Sequence, residues 1–99
     1  ADFAVGTHAC PGGTITSYLR LEGPARKRAG QLLITGDFFV APPRIVLDLE
    51  AALRGAYVED IGPIIEQFFR EHTVEALSVT PADFRSSIEE SVAAAARGA

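Results

Sequence analysis

The chain changes its hydrophobic period once, and that change limits what it can fold into. Up to Ala41 the apolar residues tend to recur at every second position; beyond Pro43 they recur every three or four. The first spacing suits strands with one buried face, and the second suits amphipathic helices. The join lies between Gly30 and Pro43. There, Leu32 and Ile34 alternate with Gln31, Leu33 and Thr35 as in a strand. Gly36-Asp37 marks a tight turn, because glycine tolerates positive φ and aspartate can bond the backbone of its own turn. Phe38 and Phe39 follow at once, each with on the order of 150–250 Å² to bury. Pro42-Pro43 demands extended backbone before it and suits the first turn of a helix after it.

The flanking segments extend the two patterns. Asp2 to Ala9 predicts a short strand, with Phe3 and Val5 on one side. Cys10-Pro11-Gly12-Gly13 predicts a reversal, since proline cannot continue a central strand and paired glycines allow a tight turn. Thr14 to Glu22 predicts a strand with Ile15, Leu19 and Leu21 on its apolar face, interrupted by Ser17. Gly23 to Gly30 is a loop, so the strands 14–22 and 31–35 form an antiparallel hairpin.

Three helices are expected after the join. In the first, Ile45, Leu49 and Leu53 form a stripe widened by Val46 and Ala52, and Arg54-Gly55 ends it. The second has Asp60 as N-cap, Pro63 in its first turn, and Ile61, Ile64, Ile65, Phe68 and Phe69 on one face. Thr73 to Val79 reads as extended. Thr80-Pro81-Ala82-Asp83 starts the third helix with a cap, a first-turn proline and an acid three residues on. Phe84, Ile88, Val92 and Ala95 mark its buried face, and the alanine-rich end from Ala93 is expected to fray.

The expected fold is therefore α+β: a three-stranded antiparallel sheet with about three helices packed on one face. Its core should hold Phe3, Val5, Ile15, Leu19, Leu21, Leu32, Ile34, Leu49, Leu53, Ile64, Ile65, Phe68, Phe84 and Ile88. Ninety-nine residues make one domain, and 47% hydrophobic residues suffice for a core without disulfides or metals.

Composition excludes several classes of function. Thirteen acidic against nine basic side chains give −4, which argues against a nucleic-acid binder. No run approaches the ~18 apolar residues of a membrane span. The lone Cys10 allows no intrachain disulfide, which fits a reducing cytoplasm.

Few residues suggest chemistry. His8 and Cys10, one residue apart, raise a thiol nucleophile or metal ligands, but no second cysteine or clustered acid completes a set, so no catalytic or metal-binding residue is assigned. His72 suits a helix C-terminus, where it faces the negative end of the dipole. Arg26, Lys27 and Arg28, near Arg20, are a possible anion contact or simply a solvated loop; Lys27 is the only lysine. Neither a phosphate-cradling glycine loop nor a lysine placed to serve one is visible.

The segment Ile34-Thr35-Gly36-Asp37-Phe38-Phe39, preceded by Gly12-Gly13-Thr14-Ile15 and followed by Leu49-Glu50-Ala51-Ala52-Leu53-Arg54-Gly55, resembles the C-terminal accessory domain of lipoate–protein ligases. In some archaea and bacteria that domain is a separate polypeptide beside a catalytic subunit. The resemblance covers most of the chain, and the Ile34 to Phe39 segment is its most specific part. The basic Arg26-Lys27-Arg28-Ala29 departs from the family's compact turn, so no family contact is carried to that loop.

The resemblance implies the non-catalytic half of an ATP-dependent ligase, needed to activate lipoate to lipoyl-AMP before transfer to a lysine of an acceptor protein. ATP, Mg and lipoate would then reside in the catalytic partner, and this chain would bind no cofactor by itself. Gly12, Gly13, Gly36, Asp37, Phe38 and Phe39 become candidate partner-interface residues, with one phenylalanine inward and the other at the interface. The alternative is a stand-alone module that binds another protein or an acyl ligand on the same fold.

Overall fold

The structure, a computed structural model, describes residues 3–98. Ala1, Asp2 and Ala99, into which the expected first strand and last helix reach, lie outside the described residues. Strands β1 (Ala4–Cys10), β2 (Gly13–Glu22) and β3 (Arg28–Gly36) form an antiparallel sheet in the order β1-β2-β3. A two-stranded ribbon of β4 (Val40–Ala41) and β5 (Glu75–Ala76) stands apart from it. The helices are α1 (Ile45–Leu53), α2 (Ile61–Glu71) and α3 (Pro81–Gly98).

Local chemistry accounts for most boundaries. The Thr80 hydroxyl accepts the Asp83 N–H at 3.3 Å, while Asp83 Oδ2 accepts the Thr80 N–H at 2.8 Å; this reciprocal pair starts α3. Gly55, with φ +86°, follows the end of α1, where a side chain would be strained. Asp60 precedes α2 but makes no capping bond with its side chain, a turn of 3₁₀ helix over Val58–Asp60 leading in instead. The helix α3 continues to Gly98, past the point at which its alanines were expected to fray. Alanine has the highest helix propensity, and Ala95 is buried against the fold.

All three helices lie on one side of the sheet. The helix α3 packs across β1 and β2, α1 packs against β3, and α2 bridges α1 and α3. Ile15, Leu19, Leu32 and Ile34 from the sheet meet Leu49, Leu53, Ile61, Ile65, Phe68, Phe84 and Ile88 in one cluster. Leu21 and Ile64 lie half-buried at its margin, and Ala52 faces out. Gly6 lets α3 approach: a Cβ there would run into the backbone at Ser87 O and Ser91 N.

Ser17, the break in the apolar face of β2, is buried under α3 with Ser87. Their hydroxyls are 2.7 Å apart, and Ser87 Oγ lies 3.1 Å from the carbonyls of Gly6 and Ile15. Ser87 has one proton, which those carbonyls accept, so Ser17 donates to Ser87.

Two expected core residues are not in the core. Phe3 is 41% exposed and Val5 46% exposed, because both lie on the sheet face opposite the helices. Register explains the error: Val5 pairs with Tyr18 and Tyr18 with Leu33, so this ladder is the outer face, while Gly6, Ser17 and Ile34 form the inner one. The strand β3 also begins earlier than expected, at Arg28, through a bulge at Gly30 that shifts the register between Arg20 and Leu21.

Candidate functional site

The hairpin turn between β1 and β2 and the end of β3 meet at one end of the sheet. Ile15 pairs with Gly36, which brings Gly12-Gly13 beside Gly36-Asp37. Asp37 does not bond its own turn as expected. Its Oδ1 accepts the Thr14 N–H at 2.6 Å, and its N–H donates to Thr14 O at 3.3 Å. The side chain thus continues the sheet ladder by one rung after the strand has turned away. Gly13, at φ +131°, leaves the space this carboxylate needs; a Cβ there would press on Asp37 Oδ1. The two glycine motifs and the aspartate form one unit, although over 20 residues separate them in sequence.

Beyond this clamp the two phenylalanines part. Phe38 turns inward and meets Phe84 edge-on, with ring centroids 5.2 Å apart. Phe39 turns outward and is 56% exposed. Beside it stands Leu77, 68% exposed, whose N–H donates to Phe39 O at 3.3 Å. Sequence reading did not single out Leu77, because only the pairing of β4 with β5 brings residue 77 to residue 39. Gly12 packs under the same segment: a Cβ would run into Leu77 O and Ser78 O. The result is an apolar pair on a ribbon tied to the Gly12/Gly36/Asp37 clamp. Behind the ribbon opens a recess of about 310 Å³, lined by Val40, Phe69, Val74, Val79 and Phe84 among others.

The basic loop is elsewhere. Glu22 pairs with Arg28 at the far end of β2, roughly 30 Å from Gly13 at the rise of a strand. Arg26, Lys27 and Arg28 are exposed, and Arg28 is occupied: its guanidinium donates to Tyr57 Oη at 2.8 Å and lies over that ring. The two groups of candidate residues are therefore separate surfaces.

The other residues singled out for chemistry, His8, Cys10 and His72, have structural partners. His8 Nε2 donates to Asp83 Oδ1 at 2.9 Å, and Cys10 Sγ donates to Gly13 O at 3.2 Å, so the two do not face each other across a site. Among the described residues no three His, Cys, Asp or Glu side chains converge as metal ligands. His72 Nδ1–H donates to Phe68 O at 2.8 Å, in the last turn of α2. Burial pushes the Asp83 carboxyl up, but the Thr80 N–H, the His8 ring and the Thr80 hydroxyl together outweigh it and hold it below its ordinary value. Glu50, buried in α1, accepts the Ile34 N–H at 2.7 Å.

Comparison with known proteins gives a consistent result. No family model matches the chain. Lipoate-protein ligase A subunit 2 of Thermoplasma acidophilum is 36% identical over 72 residues, which are 73% of this chain and 72% of that protein. A solved chain from a structural analysis of an archaeal lipoylation system in the same organism, a bi-partite lipoate protein ligase and its E2 lipoyl domain, superposes with a TM-score of 0.79. It is 31% identical, and the match covers 87% of this chain and 93% of that one.

Proposed function

The chain belongs to the family of lipoate-protein ligase A subunit 2, and from that premise we propose that it is the accessory half of a two-part, ATP-dependent lipoate–protein ligase. Its partner is the catalytic subunit, and the product of the pair is a lipoyl group on a lysine of an acceptor lipoyl domain. The accessory half is needed for the first step, in which lipoate is activated to lipoyl-AMP. ATP, Mg and lipoate are bound by the partner. The reading carries with it a cytoplasmic location; among the described residues no helix is long and apolar enough to cross a membrane.

The observation that carries the mechanism is the exposed pair Phe39 and Leu77 on a clamped ribbon. Two large apolar side chains on a backbone already fixed in the ribbon dock without the cost of ordering that backbone. Set against the catalytic subunit, they would order the loops around the adenylate and exclude water from a reactive anhydride. The polar groups of this chain support a role in surface and order rather than bond-making. Asp37, Glu50, His8 and Asp83 are each engaged in holding backbone or one another.

The test mixes this chain with the catalytic subunit, lipoate and ATP, and follows lipoyl-AMP with each component omitted in turn. Adenylate is expected only when both proteins are present. The double substitution F39A/L77A should lower the rate about tenfold or more, as truncated interface anchors do, while leaving the fold intact. A catalytic subunit that makes adenylate equally fast alone overturns the reading.

A further inference from the structure

The outer edge of β1 is the unexplained feature of this fold. The hairpin turn closes on the pair Cys10 and Gly13, so alternate residues of β1 point their backbone groups at β2: Ala4, Gly6, His8 and Cys10. The backbone groups of Val5, Thr7 and Ala9 therefore point away from the sheet. Thr14 bonding Asp37 on the opposite side of β2 fixes the same phase. Among the described residues, no backbone bond or bridge reaches those three outward positions. All three residues are exposed, and no charge, proline or bulge blunts the edge between Ala4 and Cys10.

The face beside this edge is apolar. Val5, Tyr18 and Leu33 lie in one cross-strand row, and Phe3, Tyr18 and Leu33 line a concavity of about 150 Å³. Arg20 lies over the Phe3 ring at 4.7 Å. Its Nε is buried and has no hydrogen-bond partner among the described residues, and no carboxylate among them pairs with it. At its other end β1 runs into the Gly12-Gly13 turn, directly beneath Leu77.

We propose that an extended segment of the catalytic subunit adds to the outer edge of β1 as a fourth strand, with an apolar side chain in the Phe3/Tyr18/Leu33 concavity and a carboxylate on Arg20. Unpaired N–H and C=O groups at strand spacing are met by another strand, while pockets for alternate side chains supply selectivity. A guanidinium with no carboxylate partner among the described residues selects an acidic neighbour, and the edge is continuous with the ribbon already assigned to the same partner. The proposal rests on the accessory-subunit reading.

Hydrogen–deuterium exchange of the chain, alone and with the catalytic subunit, tests it. The amides of Val5, Thr7 and Ala9 should exchange freely in the isolated chain and slow by about tenfold or more in the complex. T7P removes an outward N–H without touching the β1–β2 ladder, and is expected to weaken the complex by about tenfold or more in a titration. R20Q should weaken it less. If the complex forms and these amides exchange as before, the edge is not the contact and the proposal falls, while the accessory reading stands. If the wild-type chain does not bind the catalytic subunit at all, both fall. Protection of the same amides in the free chain, with the sedimentation of a dimer, assigns the edge to a second copy and also overturns the proposal. The exchange measurement on the wild-type chain decides even if T7P does not fold.

Discussion

The strands β3 and β1 flank the same central strand, yet the fold partly closes one edge and, among the described residues, leaves the other open. The outward Ile34 N–H of β3 is taken by Glu50, and Ala29 exchanges backbone bonds with Gly55 and Ala56. Lys27 O accepts the Val58 N–H, and Arg28 bridges to Tyr57. The segment that leaves α1 thus serves as a partial fourth strand on that side. The strand β1 is instead anchored from above, by α3 lying against Gly6 and by the Ser17–Ser87 pair. The contrast teaches that burial of a face and satisfaction of an edge are separate problems, solved here by different elements. Here the chain's own loop closes part of one edge, and among the described residues no backbone bond closes the other.

The comparison can be broken hardest at Gly6. The substitution G6A sets a methyl group against backbone of α3, which cannot rotate away, so α3 must lift from β1 and β2. A loss of at least about 3 kcal/mol in chemical unfolding is expected, or failure to fold. A smaller but informative loss comes from the partly closed edge. The substitution E50A leaves the Ile34 N–H unpaired in a buried site and should cost about 2–3 kcal/mol, with E50Q recovering part because its amide oxygen still accepts. A negligible change for E50A would show that water closes that edge as well as the carboxylate does, and would remove the asymmetry.

The smallest expected effect is a pH dependence on the side of β1, where His8 meets Asp83. A carboxyl held below its ordinary value binds its proton more weakly in the folded state. It adds stability that is present above the ordinary carboxylate range, near about pH 4, and is lost as pH falls through the lowered value. Melting curves between neutral and strongly acidic pH should therefore show a shallower acid limb for D83N than for the wild type. Parallel limbs would mean that the capping pair and His8 do not stabilise the charged form.

Much of this was legible because it is local. The Thr80 to Asp83 start of α3, the Gly55 stop and the apolar stripe of α2 all depend on residues within a few positions of each other. The family segment from Ile34 to Phe39 was legible as a motif, and an inward Phe38 beside an outward Phe39 is the alternation that adjacent residues show beyond the bend at Asp37. Phe3 and Val5 went astray because alternation tells which residues share a face without telling which face the helices cover. With Val5, Tyr18 and Leu33 on one side and Ile15, Leu19, Leu32 and Ile34 on the other, both faces offer apolar residues. The α3 approach at Gly6 selects between them, and glycine carries no hydrophobic signal.

The sequence by itself determined the order of sheet and helices, through the change of period at Pro42-Pro43, and the positions where backbone must turn. Tertiary structure alone decided the long-range partners of the polar residues. Asp37 bonds Thr14, Ser17 bonds Ser87, Glu50 bonds Ile34, and Leu77 joins Phe39 across distances no short window spans. The physical reason is that hydrophobic periodicity is a property of neighbours along one element, whereas a buried donor or acceptor is satisfied by whichever element the packed core brings against it.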